Sequence, residues 1–261
     1  MAEFETVRRA GAGTRSVEID EGLRIHMTKV YGLMSVGMVV TAAAAWIIAQ
    51  LATTSSPSVG AVQIFSDTYL TPFGQALYLS PLRWVIMFAP LAVLFLGMGA
   101  MINRLSVGAA QIGFYAFGGL VGLSLSSIMI VYTEASIVQT FLITAIAFMS
   151  LSMWGYTTKK DISGWGSFLI MGLIGVILAS IINIFLESSA LQFAVSVIGI
   201  LVFAGLTAYD TQRIKNEYLQ LAHHGQTNAL GKAAIFAALS LYLNFINMFI
   251  MLIQFLGVAR E

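Results

Sequence analysis

Seven stretches of this chain stay apolar for about the length of a membrane crossing, at roughly 29–51, 83–102, 107–131, 136–157, 165–186, 190–210 and 233–257. A bilayer core about 30 Å thick takes about 20 apolar residues per helix. Backbone groups in lipid must be bonded within the segment, so each stretch is expected to be a helix. Alternating strands of the barrel type are absent from the pattern. Only 10% of the residues are charged, against roughly 25% in soluble domains. The expected fold is an all-α polytopic membrane protein with seven transmembrane helices. Residues 1–27 form a polar arm, 28–258 the membrane domain and 259–261 a short tail.

Basic residues set the orientation. With the N-terminus inside, eleven of the thirteen Lys and Arg face the cytoplasm, and Arg83 and Arg260 lie outside. The arm mixes Arg8, Arg9, Arg15 and Arg24 with acids and has no continuous apolar core, so no cleaved leader is expected. Residues 14–28 read as a helix lying on the membrane or as a solvated mobile arm. The connection near 52–82 is long for a structureless loop. Its patches Val62-Gln63-Ile64-Phe65 and Ala76-Leu77-Tyr78-Leu79 suggest short helices over the outer face. Pro90 is expected to loosen or kink the second span. Gly118, Gly119 and Gly122 give the third a small-residue face for close helix approach.

A net charge of +1 offers no basic face to nucleic acid. The chain has no cysteine, hence no disulfide and no thiolate metal site. The last span holds no lysine for a retinal Schiff base, and His26, His223 and His224 fall outside the spans. Nucleophilic catalysis therefore lacks a base near a serine. An aspartyl protease needs two carboxylates sharing a proton, and only one acid, Asp210, is attached to an apolar span without a polar spacer. No catalytic residue, metal site or cofactor is expected.

Asp210 is the residue that calls for an explanation. An ionisable group at the end of an apolar helix is costly unless paired, solvated or protonated. It either looks into cytoplasmic water or meets an arginine. Arg104, at the cytoplasmic end of the second span, and Arg213, three residues along the same helix, are the candidates. The balance falls slightly to Arg104, which would compensate a buried Asp210 and could close a cytoplasmic opening. Asn244 and Asn247 share a face of the last span, either as interhelical glue or as pathway lining.

Ala208-Tyr209-Asp210-Thr211-Gln212 with Ile214-Lys215, then Ala238-Leu239-Ser240-Leu241-Tyr242-Leu243 and Phe245-Ile246-Asn247, resembles the Bax inhibitor-1 family. Gly155-Tyr156-Thr157-Thr158-Lys159-Lys160-Asp161 with Gly166-Ser167-Phe168-Leu169 is similar to its bacterial YccA-type branch. The resemblance implies a seven-helix bundle whose last helix is central and surrounded by the other six, in the bacterial inner membrane. It also implies a pH-sensitive calcium leak, with a proton-sharing aspartate pair on the sixth and seventh helices and a gating arginine on the second. Asp210 matches the first aspartate and Arg104 the arginine, with Tyr209 and Arg213 as polar support. The second aspartate falls on Asn244. Asparagine does not titrate, so a neutral-pH switch is expected to be weakened or moved to more acid pH. Calcium prefers 6–8 oxygen ligands, so one carboxylate with amide and carbonyl oxygens should bind cations weakly. The resemblance equally allows a non-transporting regulator that restrains a membrane-bound AAA protease through the N-terminal arm.

Overall fold

A computed structural model describes residues 2–56, 61–99, 104–224 and 229–260, with side chains in the first helix from residue 19 onward. Its elements run α1 (Ala2–Ala52), β1 (Thr53–Thr54), β2 (Val62–Phe65), β3 (Thr68–Leu70), α2 (Pro72–Tyr78), α3 (Leu82–Val93, continued by a π turn at Leu94–Met98), α4 (Val107–Val131), α5 (Glu134–Thr157), α6 (Trp165–Leu186), α7 (Ser189–His223) and α8 (Leu230–Leu256). Among the described residues six helices are long and apolar enough to cross a membrane. The pair α2–α3, bent by 60°, makes a seventh if it is one span. The chain is an all-α polytopic membrane protein.

The corners are closed by hydroxyls. Ser106, Thr133 and Ser188 accept from the backbone N–H groups of Ala109, Ser136 and Leu191, relieving donors that the first turn leaves unpaired. Pro90 does not end α3. It deprives the Ile86 carbonyl of its helical donor, and the Ser124 hydroxyl of α4 supplies one at 2.6 Å. The irregularity expected there falls on the π turn just beyond. Residues 100–102, the end of the expected second span, lie outside the described residues.

α8 is the core, with 61% of its apolar window buried. It packs mainly on α7, α1, α5 and α4, so the last helix is central but is gripped by four neighbours rather than surrounded by six. α6 lies at the edge, with 11% of its window buried, and rests chiefly on α7. α1 and α4 meet through small residues. A Cβ on Gly122 would overlap the Thr41 carbonyl and lie 2.7 Å from the Ala44 methyl, and one on Gly118 would lie 3.1 Å from the Gly37 carbonyl. Gly119 meets nothing closer than 4.0 Å, so two of the three glycines make the contact. Thr41 Oγ1 sits 2.9 Å from the Gly118 carbonyl and receives the Tyr242 hydroxyl at 2.7 Å, tying α1, α4 and α8 together.

Two expectations are corrected here. The segment from residue 19 is neither a free arm nor a surface helix. It continues α1, burying Leu23, His26, Met27 and Val30, with the His26 ring 5.0 Å from Tyr218 of α7. The apolar residues at this spacing find a partner because α7 also runs on past the membrane stretch. In the 52–82 connection, Val62–Phe65 is a strand, paired with β3 in a small antiparallel sheet ordered β1-β3-β2. Only the second patch is helical, within α2.

Candidate functional site

Asp210 lies on α7, which continues beyond it to His223. The acid therefore does not open into water at a helix end; its residue is 6% exposed. One carboxylate oxygen accepts from Asn244 Nδ2 of α8 at 2.7 Å. The other lies 2.9 Å from Arg213 Nη2. The same Nη2 donates to Ser240 Oγ of α8 at 3.3 Å, so the guanidinium bridges α7 and α8 while its side chain is 48% exposed. It also lies over the Tyr209 ring, 5.9 Å from the centroid. Each oxygen of Asp210 thus has one donor, and one of the two donors is half in solvent.

Arg104 is exposed and makes no ion pair with Asp210. The favoured partner in the sequence was the wrong one for this contact. Because α7 stays helical, Arg213 sits one turn beyond Asp210 on the same face and compensates it without help from α3. Asn247 is half-buried and donates to the Leu243 carbonyl of its own helix at 2.8 Å. Of the two asparagines only Asn244 reaches across to α7.

Around this contact lies a set of residues, unremarked in the sequence as functional, that fastens α7 to its neighbours. Gln212 accepts from the Ile162 N–H at 2.9 Å and donates to the Lys160 carbonyl at 2.8 Å, pinning the α5–α6 turn. Lys215 donates to the Tyr156 carbonyl at the end of α5, at 2.9 Å. Thr211 lies 2.9 Å from Ser152 Oγ, which in turn hydrogen-bonds the Tyr31 hydroxyl of α1. A signal was present, since Thr211, Ile214 and Tyr218 recur at helical spacing and are all buried. In the pinned turn, the Ser163 backbone N–H and hydroxyl hold the exposed Asp161 carboxyl below its ordinary range. Here Asp161 is a turn-forming residue.

A cavity of about 330 Å³ opens at this end, with Tyr209, Gln212, Arg213, Asn216 and Glu217 in its walls. It reaches the guanidinium and stops short of Asp210. Among the described residues there is no cluster of three or more His, Cys, Asp or Glu able to hold a metal ion. A cation approaching Asp210 would meet a carboxylate whose oxygens are both engaged, and would have to displace Arg213.

The sequence model of the family described as Inhibitor of apoptosis-promoting Bax1 matches residues 23–261. The chain is 44% identical over 239 residues to the Inner membrane protein YbhL of Escherichia coli (strain K12), covering 92% of this chain and 94% of that one. It is 42% identical over 254 residues to an uncharacterized protein of Caulobacter vibrioides, covering 97% and 96%. It is 40% identical over 167 residues to the uncharacterized membrane protein SpyM3_0260 of Streptococcus pyogenes, covering 64% and 70%.

Proposed function

The chain belongs to the Bax inhibitor-1 family, and from that premise we propose that it is a multi-pass inner-membrane protein passing calcium or other cations down their gradient. Asp210 is the cation contact, Arg213 the latch that occupies it in the closed form, and Asn244 a neighbour that orients the carboxylate without titrating. The N-terminus is cytoplasmic, and so is the end of the bundle that carries Arg213.

The observation that carries this reading is the double engagement of Asp210, the only acid buried among the described residues. Here the arginine keeps half its side chain in an open cavity, where it can swing away.

Calcium flux into proteoliposomes tests the reading. A partly exposed pair contributes about 1 kcal/mol, which is about a fivefold change in the closed-to-open ratio. Arg213→Gln is expected to raise flux by that factor, and Asp210→Asn to change both flux and its pH dependence. Unchanged flux in both variants would overturn the assignment.

A further inference from the structure

At the end of the bundle opposite Asp210, a groove of about 340 Å³ opens between α1 and α5. α1 packs mainly on α4 and α8, and α5 on α7 and α8, and at this end of the bundle a gap is left between α1 and α5. Its wall is apolar at Ala49, Met129, Ile130, Ile137 and the exposed Val138, and polar at Gln50, Thr53 and Thr68. Trp46, 58% exposed, stands at its side, the position an indole takes where hydrocarbon gives way to headgroups.

The rim carries one charge of each sign. Arg260 is held in place, since its backbone N–H donates to the Val131 carbonyl at 2.8 Å and its Nε to the Tyr132 carbonyl at 3.1 Å. Its Nη2 lies 3.8 Å from Glu134 Oε1, too far for a hydrogen bond, and the Glu134 side chain is 91% exposed. The pair is left open. A guanidinium anchored through Nε, with its side chain 31% exposed, lies beside a carboxylate that no donor has closed.

We propose that this groove holds one phospholipid with a zwitterionic amine headgroup of the phosphatidylethanolamine class. An acyl chain fills the gap between α1 and α5. The phosphate takes the Arg260 fork, whose geometry suits a tetrahedral anion. The primary ammonium takes Glu134. A glycerol headgroup offers Glu134 no cation, and a choline headgroup offers it no N–H. The site is independent of Asp210 and of cation passage.

Native mass spectrometry of the full chain in detergent, with phosphatidylethanolamine, phosphatidylglycerol and phosphatidylcholine of identical chains, tests it. Phosphatidylethanolamine should be retained about fivefold over the other two, the scale of one added charge-assisted contact at an interface. Glu134→Gln, a change at an exposed side chain, should bring the three to parity. Val138→Trp, which fills the groove, should lower retention of all three while leaving their order unchanged. Parity in the native chain, or a preference that survives Glu134→Gln, would overturn the proposal.

Discussion

Replacing Asn244 by aspartate is expected to make calcium flux climb as pH falls through the neutral range, where the native chain stays flat. The substituted carboxylate would stand in hydrogen-bonding contact with Asp210, where the amide nitrogen now lies 2.7 Å from its oxygen. Two carboxylates so close repel each other when both are charged, so they titrate as one unit whose first protonation is pushed up towards neutral pH. Arg213 then faces two negative charges above that step and one, shared by the pair, below it. Loss of one of the two charges loosens the latch, so acid opens and base closes. A one-proton switch changes the ratio of states by at most about tenfold per pH unit, which sets the steepest slope to look for. The native site has one carboxylate and no like-charge neighbour, so its release needs a more acid medium than that of the aspartate pair. The measurement is initial calcium uptake into proteoliposomes at several pH values. Superimposable profiles for the native and Asn244→Asp proteins would refute the idea that the amide is what silences the switch.

Gly155→Leu should be among the most disruptive single changes in the membrane domain, costing about 3 kcal/mol, the upper end of the usual overpacking penalty. A Cβ at Gly155 would overlap the backbone carbonyl of Ala208, and backbone cannot rotate aside as a side chain can. α5 and α7 would have to separate at the level of the Ser152–Thr211 and Lys215–Tyr156 bonds. Asp210, two residues along α7, would move with them. Gly175 of α6 has nothing within 4 Å of its would-be Cβ, so Gly175→Leu is a fitting control and should stay within about 0.5 kcal/mol of the native chain. Thermal unfolding in detergent separates the two. Equal midpoints for both variants would show that the α5–α7 spacing is not set by that glycine.

The membrane helices could be read from the sequence because lipid leaves the backbone a single option over an apolar run of that length. Asp210 could be read for the converse reason, as an acid with no polar neighbour before it. Its true partner could not. Arg104 and Arg213 are equally basic, and the choice turned on whether α7 continues, a question the polar residues after Asp210 hide. Ile214 and Tyr218 held the answer, since each is buried against the bundle while Arg213, Asn216 and Glu217 are exposed. Val62-Gln63-Ile64-Phe65 went astray differently. Its β-branched and aromatic residues have strand character, but the pairing that realises it comes from Thr68–Leu70 across a tight turn. The small-residue contact was legible at Gly118 and Gly122, where helical spacing puts both on α1. Gly119 looked equivalent only because glycine leaves no mark of which way it faces.

The peripheral seat of α6 gives the bundle a weak edge. With one principal neighbour and most of its surface turned to lipid, it contributes little to holding the other helices in place, and local opening should begin there. The helix it leans on is the one that carries Asp210, and Gly166 makes room for the Tyr209 ring directly beneath the arginine. Loosening at that margin, through thinner lipid or local heating, would slacken the seat of the latch while the buried α8 stays rigid.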